Sequence, residues 1–289
     1  MKRKKLLFLL IIFGVTLFTT GCKQDDMDDI DIAVTNYPNE YIVDKLYGKH
    51  ATINQIFPDG VDINDYNFTK TQKNNFANMG LFIYTGLVEK ERDLAIDLLD
   101  RNSDLKIIDT SYVLETDYAN EELWLNPSSL LMMAQNVRLG LKEYITSTYL
   151  SKEVDEAYND LKIELSELDA DYRLTVENTD NKLIVTTDSS LKLLEKFGLT
   201  VYCLDSDTTE KEVYEINQLI AKNQVSYIYH FKGTELTDQA KLMIQNNPKI
   251  KALELNRLDV ITDNDREEGK DYISLMNENL DLLKQELYQ

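Results

Sequence analysis

The chain has 289 residues, with 51 Asp and Glu against 31 Lys and Arg, for a formal charge of −20. So acidic a chain lacks the basic face that nucleic-acid binding requires, and it disfavours lying flat on anionic lipid. With two cysteines, Cys22 and Cys203, and two histidines, His50 and His230, a Cys-rich metal site is impossible and histidine chemistry is scarce.

The N-terminus reads first. Lys2, Arg3, Lys4 and Lys5 precede an apolar run from Leu6 to Phe18, then the small residues Thr19, Thr20 and Gly21, then Cys22. This is the order of a secretory signal, and the run is shorter than the roughly 20 residues that span a bilayer. A cysteine directly after the small residues resembles a lipoprotein signal, although Thr19 stands where such signals carry an aliphatic residue. Residues 1–21 are therefore expected to be removed and Cys22 lipidated, anchoring the protein outside the cytoplasmic membrane with two or three acyl chains. Met1–Gly21 holds four of the basic residues and none of the acidic ones, which leaves a mature charge of −24. The polar stretch after Cys22 reads as a flexible tether over 22–30. With Cys22 committed to lipid, Cys203 has no partner, and its strand-like surroundings (Leu-Thr-Val-Tyr-Cys-Leu) predict a buried, inert thiol.

Along the body, short apolar runs alternate with helical stretches. Strands are predicted at Ile30–Val34, Ala51–Phe57, Leu81–Tyr84 and Leu105–Asp109, with helices over Asn39–Tyr47 and Asp93–Leu99. A second set follows: strands at Leu183–Thr187, Leu199–Leu204, Tyr227–Phe231 and Ala252–Leu255, and helices at Ser190–Phe197, Glu212–Asn223, Asp238–Asn246 and Tyr272–Leu287. Such alternation predicts an α/β fold with parallel sheets flanked by helices. Between the sets, residues 151–178 lack Gly and Pro and place Val154, Leu161, Leu165 and Leu168 at helical spacing, with Ser151 as a candidate N-cap. The expected organisation is an N-terminal lobe (31–150), a long rigid connecting helix (151–178) and a C-terminal lobe (179–289), with a ligand cleft between the lobes.

Six segments carry a resemblance. Gly60-Val61-Asp62-Ile63-Asn64-Asp65-Tyr66-Asn67-Phe68-Thr69, Asn78 to Leu87, Glu121-Glu122-Leu123-Trp124-Leu125-Asn126-Pro127, Leu161 to Tyr172, Thr187-Asp188 with Phe197-Gly198-Leu199, and Asp271 to Leu280 follow one another as the motifs of the solute-binding lipoproteins of zinc and manganese ABC transporters do. The resemblance implies two α/β lobes on a rigid helix, small lobe movements, metal cargo held in the cleft, and an ABC permease as partner. It also shows a departure. The family's first three histidine ligands fall on Asn64, Glu122 and Thr187; the fourth position lies in a region where Asp259 and Asp263 are candidates.

Three oxygen donors suit hard cations better than zinc, which favours imidazole and thiolate in tetrahedral geometry. Three readings stay open: a degenerate site on a retained fold, a site rebuilt from Glu122, Asp188, Asp259, Asp263 and His230, or a different ligand such as a metal chelate. Each residue also has a plainer role. Asn64 fits a local turn, Glu122 a solvated loop, Thr187 or Asp188 a helix cap near Ser190, and His230 a satisfied strand residue. No Gly-rich phosphate loop precedes a helix and no Gly-x-Ser-x-Gly elbow occurs, so an enzyme is not expected. The expected functions are metal capture for an importer or, alternatively, a non-transport surface role as an adhesin or scaffold.

Overall fold

The computed structural model describes residues 25–58, 61, 63, 65–117 and 122–288. The signal sequence, Cys22 and Asn64 lie outside the described residues. The first lobe contains β1 (Ile30–Val34), α1 (Tyr37–Tyr47), β2 (Ala51–Gln55), α2 (Lys70–Ala77), β3 (Leu81–Tyr84), α3 (Glu89–Arg101) and β4 (Lys106–Asp109). Its four strands are parallel, in the order β2-β1-β3-β4. Then come α4 (Pro127–Tyr144) and α5 (Thr148–Glu177). The second lobe contains β5 (Leu183–Thr186), β6 (Thr200–Cys203), α6 (Glu210–Ala221), β7 (Tyr227–Phe231), α7 (Asp238–Asn246), β8 (Lys251–Leu255), α8 (Asp263–Glu267) and α9 (Tyr272–Leu287). Its sheet repeats the same order, β6-β5-β7-β8, again all parallel.

Strands buried on both faces read as continuous apolar runs, and β3 (Leu-Phe-Ile-Tyr) is buried at all four positions. One core runs through both lobes. It takes Ile32 and Ile83 from the first sheet, Met133 and Val137 from α4, Leu161, Leu165 and Leu168 from α5, Ile184 and Tyr229 from the second sheet, and Leu280 from α9. The 30-residue α5 is about 45 Å long at 1.5 Å per residue, enough to pass both lobes.

Four expectations need correcting. First, α5 begins at Thr148, capped by Ser147, whose side chain accepts from the Leu150 N–H; Ser151 lies inside the helix. Second, the expected tether over 22–30 is docked from Asp25 onward. Asp25 Oδ2 accepts hydrogen bonds from Thr146 N, Thr146 Oγ1 and Ser147 N, at 2.8, 2.9 and 2.5 Å. Met27 is fully buried, and Tyr47 OH donates to its carbonyl at 2.7 Å. A buried apolar side chain and satisfied backbone outweigh the polar composition that suggested freedom. Third, Ser189–Phe197 winds as a 3-10 run with Asp188 as its cap, and Gly198 closes it in a left-handed conformation. Fourth, Cys203 is half-buried, not sealed in; its thiol donates to Asp205 Oδ2 at 3.2 Å, and burial pushes its pKa up.

Candidate functional site

The carboxyl ends of both parallel sheets face the space between the lobes, where ligands of open α/β sheets bind. Tyr37, just past β1, donates its backbone N–H to the Asp259 carbonyl at 3.0 Å, so the loop after β8 touches the end of β1. Trp124 and Tyr272 tie the same region. Tyr272 OH donates to the Trp124 carbonyl at 2.6 Å, and Trp124 Nε1 donates to the Arg257 carbonyl at 3.0 Å.

Glu122 sits at the entrance to the short 3-10 turn Leu123–Leu125. Its side chain is 12% exposed, so it is nothing like a solvated loop carboxylate. Arg257 from the loop after β8 meets it: Nε donates to Glu122 Oε1 at 2.6 Å, and Nη2 stands 2.5 Å from the same oxygen. Glu122 Oε2 is buried and has no hydrogen-bond partner among the described residues. The Arg257 guanidinium also lies 5.1 Å from the centre of the Phe231 ring, a cation–π arrangement. Burial pushes the Glu122 pKa up; the Arg257 charge opposes this, and Asp259 and Asp188 add to it. The Asp259 carboxyl is raised by burial as well, again opposed by Arg257. Between Arg257 and Asp259, Leu258 is buried at φ 61°, a left-handed backbone seldom adopted by a branched side chain.

The predicted site residues therefore separate. Glu122, Asp188 and Asp259 share one electrostatic neighbourhood with Arg257 at its centre. Asp188 is committed to capping, accepting from Ser190 N at 2.9 Å and Ser190 Oγ at 2.7 Å. Thr187 is held by its backbone N–H on the Tyr229 carbonyl at 2.9 Å. His230 is not brought to the site. The two-residue period of β7 puts it on the sheet face opposite Phe231, with Nδ1 3.1 Å from the Thr234 carbonyl. Asp263 is exposed in the first turn of α8. Among the described residues, no three His, Cys, Asp or Glu side chains are grouped to hold a metal ion.

Sequence reading missed two features. Arg257 is the first; no local pattern marks it, because its partner is 135 residues away. The second is a buried polar network at the carboxyl ends of β1 and β3. Glu91, fully buried on α3, accepts from Thr35 Oγ1 at 2.5 Å, Thr85 N at 2.7 Å and Asn36 Nδ2 at 3.3 Å. Asn39 Nδ2 donates to Thr35 Oγ1 and Thr85 Oγ1, while its Oδ1 is buried without a partner among the described residues. Burial raises the Glu91 pKa to about 7.

Known proteins resemble this arrangement. The zinc-binding lipoprotein AdcA of Streptococcus pneumoniae (strain R6) is 23% identical over 310 residues, covering 97% of this chain and 61% of the relative. The chain thus spans about three-fifths of the length of that curated relative. The Zn(II)-bound ZnuA-like domain of Streptococcus pneumoniae AdcA superposes with a TM-score of 0.74 at 20% identity, over 90% of this chain and 100% of that domain. The laminin-binding protein Lmb of Streptococcus agalactiae, described as having adhesin and metal-transporting activity, gives 0.74 at 18% identity, over 89% and 99%. A family model described as "Zinc-uptake complex component A periplasmic" matches residues 32–286, and the chain belongs to that family.

Proposed function

We propose that the protein is the extracytoplasmic binding component of a divalent-metal ABC importer, lipid-anchored through Cys22, with an atypical cleft in which Arg257 occupies the charge position of the cargo. The observation that carries this is the guanidinium on Glu122 Oε1, at the position of the family's second ligand. A fixed cation there neutralises the carboxylate that a metal would otherwise neutralise. Cargo must displace Arg257, whose side chain is 37% exposed. The carboxylates then left, Glu122 and Asp259, offer only oxygen, as would Asn64 at the position the family resemblance matches, and oxygen donors suit manganese, magnesium or calcium better than zinc. The permease is the expected partner, and zinc comes to this chain only through its relatives' names.

Tag-free protein from residue 23 onward, assayed for metal by mass spectrometry and titrated calorimetrically, tests the reading. The expected result is no zinc retained through purification and weak, micromolar-or-poorer binding of hard cations that Glu122→Ala removes. Stoichiometric zinc held at nanomolar affinity would overturn it.

The same ion pair favours a second reading: a non-transport surface protein that keeps the fold while Arg257 permanently replaces the metal. The adhesin activity stated for the streptococcal neighbour fits this alternative. Complete absence of cation binding to the wild type and to Arg257→Ala would select it.

A further inference from the structure

The docked N-terminal strap fixes more than the lobe. From Asp25 to Asp29 the chain is pinned at one end of the molecule. Asp25 holds the N–H groups of Thr146 and Ser147 just before α5, Met27 is buried, and Asp29 N donates to the His50 carbonyl at 2.8 Å. Asp28 Oδ1 lies 3.1 Å from His50 Nδ1, and Glu153 Oε2 lies 2.8 Å from His50 Nε2. Two residues, Lys23 and Gln24, separate Cys22 from Asp25. Fully extended, that connection reaches at most about 11 Å between Cα atoms.

The strap end is the end remote from the cleft. It holds the amino ends of β1 and α5, whereas the cleft is built at the carboxyl ends of the strands. Along α5, Asp169 accepts from Ser128 Oγ at 2.8 Å near the Trp124 turn, 21 residues beyond Thr148 and therefore about 30 Å up the helix. Past its far end, Asn181 Nδ2 donates to the Gln224 carbonyl, beside the amino ends of the C-lobe strands. Lys251 N donates to the Ser226 carbonyl there, which puts exposed Lys249 at the opposite pole from the strap. The surface around the strap exposes Tyr149, Lys49 and Lys152 together with Asp26 and Glu156. It is mixed in charge, so the short connection, not attraction, sets the orientation.

We infer that the strap end of the N-terminal lobe rests on the lipid headgroups, with α5 standing away from the bilayer. This rests on lipidation of Cys22. The cleft is then held about 30 Å out and the C-terminal lobe is outermost.

Energy transfer from a dye on the protein to an acceptor in the headgroup layer tests this. The full lipidated chain is placed in phosphatidylcholine vesicles, in a Cys203→Ser background, with the dye at Tyr149→Cys or Lys249→Cys. Transfer should be strong from position 149 and several-fold weaker from 249. A long Gly-Ser insertion between Gln24 and Asp25, which leaves the strap docked, should abolish the difference, as should Met27→Asp with Asp25→Ala. Equal transfer from both positions in the uninserted, lipidated chain would overturn the orientation. Failure of the wild-type chain to incorporate labelled palmitate would instead overturn the anchor, and the orientation with it.

Discussion

Arg257 and Glu122, 135 residues apart in sequence, meet through one carboxylate oxygen, with Nε at 2.6 Å and Nη2 at 2.5 Å, while the other oxygen stays buried and unbonded. Removing Arg257 leaves a desolvated carboxylate beside Asp259 and Asp188. Arg257→Ala is expected to lower stability by about 2 kcal/mol, below the full cost of breaking a buried pair because the arginine is partly exposed. The same variant should bind manganese or calcium at least ten-fold more tightly than the wild type in calorimetry, since the internal competitor is gone.

The pH dependence of stability follows from Glu91. Its carboxyl is raised from an ordinary 4.5 to about 7 by burial, so between those values the folded protein binds more protons than the unfolded chain. Stability from this group is complete below about pH 4.5 and is lost as pH rises through about 7. Asp25, Asp97 and Asp155 are held below their ordinary 3.8 and act in the opposite sense, at lower pH. Thermal melting should therefore peak in mildly acidic buffer and fall by several degrees towards pH 8. Glu91→Gln should remove part of that decline, as followed by circular dichroism; the rest comes from Glu122, whose carboxyl burial also raises to about 7.

Met27 is a core residue by packing. Met27→Ala is expected to cost about 3 kcal/mol in urea denaturation. Tyr47→Phe, which removes the hydroxyl donated to the Met27 carbonyl, should cost about 1 kcal/mol. A soluble protein begun at Ile30 should be markedly less stable than one begun at Lys23.

Gly140 lies within α4, where alanine normally favours the helix by about 1 kcal/mol. An added Cβ would meet Ile108 Cγ1 and Cδ1 at 2.6 and 2.7 Å. Gly140→Ala should therefore destabilise by about 1–3 kcal/mol in denaturant titration, against the propensity trend.

The lobes are expected to move little. The ties from Tyr272 to Trp124 and from Trp124 to Arg257 cross between them, and α5 packs against both. Small-angle scattering with and without millimolar manganese should give the same radius of gyration. A large ligand-driven change would show that the helix is no rigid spine.

The strands were legible because burial on both faces writes them as apolar runs; β1, β3 and β7 match their sequence predictions residue for residue. Three helices were not: α2, α4 and the five-residue α8, which is too short to show an apolar period. For α4 the signals existed: Asn126 caps Ser129 N, Pro127 opens the helix, and Leu130, Met133, Ala134, Val137 and Leu141 are buried at helical spacing. Gly140 and the paired serines obscured them. In α2 only Ala77 is buried, so its apolar period is faint, although Thr69 and Gln72 form a capping box. The candidate site was half legible. Motif order brought Glu122 to the cleft, but its cation partner depends on a loop after β8 that only the folded chain places. The Glu91 network was invisible because a glutamate among Glu89, Lys90 and Arg92 reads as solvent-facing.

The core cluster shared by both lobes has a calorimetric consequence. Because α5 contributes Leu161, Leu165 and Leu168 to packing that reaches both sheets, unfolding one lobe exposes the larger part of the other's interior and leaves it only a smaller cluster of its own, around Phe82 in the first lobe or Ile228 in the second. Heat should carry the protein across one sharp endotherm, with van't Hoff and calorimetric enthalpies in agreement, and a proteolytic cut between the lobes should leave the two pieces clinging together.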